Sequence, residues 1–346
     1  MNSDWIYQSA KTLDDEAFEQ AKQRQLSLTK PPGSLGELET IACKFAAWKG
    51  KVKPSCDAIK IRVFAGDHGV CDQGISAFPP EVTGQMINNF VSGGAAISVL
   101  ARSLEADFKV VNMGTLTPQE ESAGLVNVQI APRTNDFSNE AAMSESEVLR
   151  AIDAGAKELD GSNCDLFIGG EMGIGNTTSA SAIYSVLLDT DPMRCVGPGT
   201  GLDGDGISHK ASIIQKAITQ HQDSLHTPLD VLQYLGGFEI AGLVGAYLRA
   251  ADKGTPILVD GFICTAAALL ATKIKPDALN WMMFSHQSAE PAHVLALKEL
   301  NAKPILDLGM RLGEGSGAAV AASIIKSAIN LHNNMATFAD AGVSDA

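Results

Sequence analysis

The strongest constraint on the fold is an alternation that sets in near Ala58 and runs almost to the end of the chain. Short apolar runs rich in β-branched residues, each closed by Gly, Asp or Ser, are followed by Ala-rich stretches of helical length. Parallel neighbours need a crossover, usually a helix, so this pattern predicts a parallel sheet covered on both faces. The runs are residues 59–65, 108–113, 164–168, 256–259, 279–284 and 304–308. Six such strands predict a doubly wound α/β sheet, whose ligands bind beyond the carboxyl ends of the strands. The loops expected there are residues 66–69, 169–176, 260–261, 285–288 and the turn that carries Glu314.

Residues 12–48 carry no strand signal. They read as two amphipathic helices broken by Lys30-Pro31-Pro32-Gly33-Ser34-Leu35-Gly36, with Asp14 and Asp15 suited to the first helix start. The expected division is residues 1–55 as part of a small helical domain, 56–331 as the α/β domain, and 332–346 as a tail attached to the small domain. The polar residues 334–346 are expected to fray.

Composition narrows the partners. With 346 residues and 45% hydrophobic content the chain can bury a large core, while a formal charge of −14 disfavours nucleic acid and anionic membrane surfaces. Any anionic substrate must be held by local cations and helix ends. The six cysteines show no CxxC pair, which fits reduced thiols. Neither a signal peptide nor an apolar run of spanning length is evident, and a cytoplasmic location is expected.

The glycine loops carry the chemistry. Residues 304–331 read as strand, turn and helix, with Gly313, Gly315 and Gly317 around a single carboxylate, Glu314. Missing Cβ atoms let a ligand approach the main chain, and Glu314 then reads either as a general base in a partly dry pocket or as a solvated loop acid. Residues 169–178 follow a strand and enter a helix, so Gly170, Gly173, Gly175 and Asn176 could receive a phosphate on free N–H groups. A tight turn is the plain alternative. Glu171 in this loop would repel phosphate and better meets a sugar hydroxyl or a developing cation.

Residues 195–210 contain GxGxxG at Gly199, Gly201 and Gly204, but no clear strand precedes it and the unit does not open a βαβ repeat. A long loop entering a helix from residue 207 to about 221 fits better. Two readings of Lys210 stand, a surface lysine or a cation beside the helix N-terminus. Histidines and acids at 66–69 and 285–293 lack metal-ligand spacing, so substrate hydrogen bonding and capping are expected of them. No GxxxxGK[ST] loop occurs, and residues 256–261 hold one acid instead of the acidic pair of a phosphoribosyl pyrophosphate loop.

KPPGSLG at 30–36, FAGDHGV at 64–70, GISAFPPEVTGQM at 74–86, GGEMGIGNTT at 169–178, FSHQSAEP at 284–291 and RLGEGSGA at 311–318 resemble the nicotinate-nucleotide:dimethylbenzimidazole phosphoribosyltransferases. The likeness spans about residues 28–331, and Ser316 stands where Thr is expected. It implies a Rossmann-like sheet with a small helical domain drawn from both termini, a homodimer, and no metal or other cofactor. It implies transfer of phosphoribose from nicotinate mononucleotide to 5,6-dimethylbenzimidazole in cobalamin lower-ligand assembly.

The resemblance places the catalytic base on Glu314 and a second acid on Glu171. Gly170, Gly173, Gly175, Asn176, Lys210, Ser288 and Gly313 are expected at the nucleotide. Phe78, Met86, Met172 and Leu312 are candidates for an apolar slot for the base, with Ser76 and Gln85 as hydrogen-bonding partners. A transferase or nucleosidase for another base, or a non-catalytic nucleotide sensor, are the competing readings.

Overall fold

The computed structural model describes residues 4–344 apart from 162, 198, 200 and 202. Its strands are β1 Ile59–Gly66, β2 Asp107–Gly114, β3 Leu125–Asn127, β4 Leu166–Met172, β5 Ile257–Val259 and β6 Met282–Phe284. They form one all-parallel sheet in the order β3-β2-β1-β4-β5-β6. The direction of winding reverses between β1 and β4, a switch point beside which sheets of this kind bind their ligands. Every residue of β1 is buried. Its two cations are neutralised at the amino end: Arg62 pairs with Asp107 at 2.8 Å and Glu158 at 2.6 Å, and Lys60 Nζ donates to the Glu158 carbonyl at 2.7 Å.

Two of the expected strands change. Residues 304–308 do not join the sheet as a strand: Leu306 makes one isolated parallel bridge to His286, and Asp307 and Leu308 are exposed. Pro304 has no N–H to offer a ladder, and the run lies where β6 has already ended. The remaining strand is Leu125–Asn127, a half-exposed edge of three residues too short to show a period. Residues 279–284 divide, since Pro276–Trp281 forms a 3₁₀ turn and only Met282–Phe284 is extended.

The amino-terminal helices are Asp15–Ser27 and Glu37–Lys49, the first capped by Asp14, whose Oδ1 accepts the Ala17 N–H at 2.8 Å. They meet the far end of the chain. Arg24 donates to the carbonyls of His332, Asn333 and Met335, and Leu28 bridges Thr337. Of residues 334–346, expected to fray, those up to 343 are hydrogen-bonded, since Thr337 caps a short helix, Phe338–Ala341, through a capping box with Asp340 and the Val343 N–H donates to the Phe338 carbonyl; residues 345 and 346 lie outside the described residues. Among the described residues no helix is long and apolar enough to cross a membrane.

Candidate active site

A cavity of about 400 Å³ opens at the carboxyl ends of β4, β5 and β6; the 66–69 loop after β1, expected at the site, does not line it, and His68 is instead buried against Glu239 at 2.7 Å. One wall is the turn at Glu314, which folds back over β4. A Cβ on Gly170 would lie 2.1 Å from the Glu314 carbonyl oxygen, and one on Gly313 would lie 2.3 Å from Glu171 Oε1. At Gly170 the obstacle is main chain, so only glycine lets the turn press onto the strand there, while Gly313 is favoured by its φ of +89°. Gly313, Glu314 and Gly315 all have positive φ, and Glu314 at +64° is the member that holds a side chain in this unfavourable region.

Three carboxyl groups line this end of the cavity. Glu171 is 5% exposed, Glu314 6% and Asp260 2%. Burial, then the neighbouring charges of Asp260 and Glu239, push the Glu171 carboxyl up to about 8, although the Asn176 amide donates to its Oε2 and the Glu314 N–H to its Oε1. Burial raises Glu314 as well, against the Ile97 N–H that donates to its Oε2 at 3.3 Å. Asp260 accepts the N–H groups of Gly315 and Ala318 at 3.2 and 2.8 Å, which caps the helix Ser316–Asn334 and fixes the turn before it. Its carboxyl is raised by burial and lowered by His286, whose Nδ1 lies 3.7 Å away. Three clustered acids in a poorly hydrated space repel one another, so a positive centre placed among them is favoured.

The opposite end favours anions. The helix Asn176–Leu187 starts here, and Lys210 Nζ donates to Thr177 Oγ1 at 2.8 Å. Lys210 is not a surface residue: it is 1% exposed, and burial pushes its ammonium group down to about 8. It lies in the second turn of its helix, because that helix begins at Gly204 with Asp203 as cap, earlier than expected. Pro198, Thr200 and Leu202 of the loop before it lie outside the described residues.

Of the residues expected at the site, Phe78, Met86, Glu171, Met172, Gly173, Asn176, Ser288, Leu312, Gly313 and Glu314 line the cavity. Phe78, Val82, Met86, Met172 and Leu312 make its apolar side, with Phe78 and Leu312 half exposed or more at the mouth. Five residues do not line it. Gly170 is covered by the Glu314 turn, and Gly175, with φ +93°, packs against Cys71 Sγ behind the loop. Lys210 reaches only Thr177, which does line the cavity, and Ser76 Oγ accepts the Phe78 N–H at 3.2 Å. Gln85 is exposed, one residue round the helix Glu81–Ser92 from Met86. Asn176 is the first residue of its helix, with Gly175 as cap, and spends its amide on Glu171.

Sequence reasoning put Asp260 and His286 in the strand-end loops and expected capping or substrate hydrogen bonding of His286 and Glu290, but counted none of these three, nor Arg311, among the site residues; all four line the cavity. The first two follow β5 and β6 directly, so their place at strand carboxyl ends was the available signal. Among the described residues no three His, Cys, Asp or Glu side chains converge as a metal-binding group.

A Rossmann-order sheet with an acidic centre facing an apolar slot and an anion-favouring end defines a nucleotide-handling enzyme, and a family model described as phosphoribosyltransferase matches residues 10–343. A nicotinate-nucleotide–dimethylbenzimidazole phosphoribosyltransferase of Pseudomonas fluorescens (strain SBW25) is 51% identical, covering 100% of this chain and 99% of that protein. The enzyme of the same name from Xanthomonas axonopodis pv. citri (strain 306) is 50% identical, with 100% of both chains covered. The crystal structure of CobT from Thermus thermophilus is 39% identical with a TM-score of 0.91, over 96% of this chain and 100% of that one. The chain belongs to the nicotinate-nucleotide–dimethylbenzimidazole phosphoribosyltransferase family, a family of pentosyltransferases.

Proposed function

We propose that this chain transfers the phosphoribosyl group of nicotinate mononucleotide to 5,6-dimethylbenzimidazole, releasing nicotinate and α-ribazole 5′-phosphate, with Glu314 as general base. The carrying observation is the placement of Glu314: a buried carboxylate with a raised pKa, between the apolar slot and Glu171. One benzimidazole nitrogen gives its electron pair to the anomeric carbon. The C–N bond to nicotinate breaks on the opposite face, its pair returning to the pyridine ring, while the proton on the other benzimidazole nitrogen passes to Glu314. Opposite-face attack turns a β-nucleotide into an α product.

Glu171 suits a different role. A group with a pKa near 8 begins protonated at pH 7 and is a poor acceptor for that proton. The pyridinium of nicotinate mononucleotide, and then the oxocarbenium-like transition state, brings positive charge beside it and favours its ionised form. The phosphate is held at the Thr177 end, near Lys210 and Ser288. A homodimer, and one small helical domain made from residues 1–55 and 332–346, belong to the same reading; light scattering tests the former.

Incubation of the pure protein with nicotinate mononucleotide and dimethylbenzimidazole, with chromatographic and NMR assignment of the products, tests the function. Nicotinate release without dimethylbenzimidazole would indicate a nucleosidase. Binding without any product would indicate a sensor.

A further inference from the structure

Glu290 has no part in the chemistry above, yet it is placed where a carboxylate is least expected. Although it is the N-cap residue of the helix Pro291–Glu299, its side chain makes no capping bond and turns into the cavity instead. It is 6% exposed, and its Oε2 has no hydrogen-bond partner among the described residues. A Cβ on Gly197 would lie 1.9 Å from that oxygen. Every charged neighbour resolved around it is a cation: Lys210, from the helix Gly204–His221, and Arg311, from the segment before Glu314. The Gly199 N–H also donates to it, and its own N–H is bonded to Ser288 Oγ. His293 on the same helix accepts the Ser288 N–H at Nδ1 and is held down to about 3 by burial, so it stays neutral.

These are the cations and donors that a phosphate would use. We propose that Glu290 is the resident counter-anion of the phosphate subsite, and that a phosphomonoester enters the subsite together with one proton from solvent. The inference rests on the proposed function for its placing of the phosphate. Lys210 is buried and Arg311 is exposed at the mouth, so two anions at Lys210 repel each other in a poorly hydrated space, and a proton shared between carboxylate and phosphate oxygen converts the clash into a hydrogen bond. Burial has already raised the Glu290 carboxyl, and the second phosphate ionisation lies near about pH 6, so either oxygen can hold the proton at modest cost.

The test is isothermal titration calorimetry of ribose 5-phosphate into the full-length protein at pH 7, in two buffers of different ionisation enthalpy. This probe carries the phosphate without the pyridinium, so it leaves Glu171 undisturbed. The wild type should take up close to one proton per ligand, and its Kd should rise about eightfold from pH 6.5 to 7.5. Lys210, with a pKa about 8, accounts for only about a tenth of a proton at pH 7. Glu290→Gln should bind with proton uptake near zero and a flat Kd over that range. Firm wild-type binding without proton uptake overturns the proposal, and needs no variant to fold. Undiminished uptake in Glu290→Gln also overturns it, because the proton then goes elsewhere. A parallel titration with nicotinate mononucleotide separates the two readings: if neither ligand binds, the functional reading fails and this inference with it, whereas binding of the nucleotide alone overturns only the inference.

Discussion

Glu171→Gln offers a test of the electrostatics that does not depend on turnover. The folded pKa of about 8 lies above the ordinary glutamate value of 4.5, so the folded state binds a proton that the unfolded chain releases between those two values. Its contribution to stability is full below about pH 4.5 and is lost as pH rises through about 8. From pH 5 to pH 8 the loss integrates to about 3 kcal/mol, at 1.36 kcal/mol per pH unit of unmatched protonation. Glutamine keeps the shape and the acceptor for the Glu314 N–H. Its new NH₂ faces the Asn176 amide, which must flip to present its oxygen. Urea unfolding of both proteins at pH 5, 6, 7 and 8 gives the comparison. The wild type should lose about 3 kcal/mol relative to the variant over that range. A difference independent of pH would mean that Glu171 is ionised throughout and that the acidic centre does not hold a proton.

Four other outcomes are expected. Glu314→Gln should cut the single-turnover rate by about 10²-fold to 10⁴-fold while the nucleotide Kd stays within a few-fold and folding is nearly unchanged; a near-normal rate would move the base elsewhere. Lys210→Ala should raise the nucleotide KM and leave dimethylbenzimidazole affinity alone, because its ammonium group stands at the Thr177 end of the cavity. Gly170→Ala should lower both kcat and stability, since the new methyl would meet the Glu314 carbonyl at 2.1 Å and push the turn off β4; normal kinetics would show that the turn's position is not required. Excess EDTA should leave the rate unchanged, and a loss restored by magnesium would refute that expectation.

The sequence was most legible where local pattern and tertiary position agree. The Glu314 turn could be read because three glycines, a strand-length run and an Ala-rich helix adjoin in the chain, although the run itself does not join the sheet. Lys210 could be singled out, but its burial could not, because its partner Thr177 comes from a helix more than thirty residues away in the chain. Gly170 shows the limit most clearly. A glycine beside Glu171 in a strand-to-helix loop has the same local sequence whether its missing Cβ admits a phosphate or a neighbouring main chain, and here it admits the Glu314 turn.

The same limit explains why Glu171 and Glu290 could not be understood from their neighbours in the chain. Glu171 is shifted by burial and then by Asp260 and Glu239, and Glu290 feels the charges of Lys210 and Arg311 and accepts the Gly199 N–H, groups that other segments bring. The two acids nevertheless divide the cavity in a way that charge alone predicts. Acids clustered at β4 and β5 favour the cation that forms at the anomeric carbon, whereas a lone acid between two cations at the far end must share a proton before a second anion can enter. Proton demand thus differs at the two ends. Binding at the phosphate end should take up a proton, and ionisation of Glu171 at the reacting end should release one, so net proton uptake measured with ribose 5-phosphate should exceed that measured with nicotinate mononucleotide. Equal uptake for the two ligands would mean that the pyridinium does not draw the proton from Glu171.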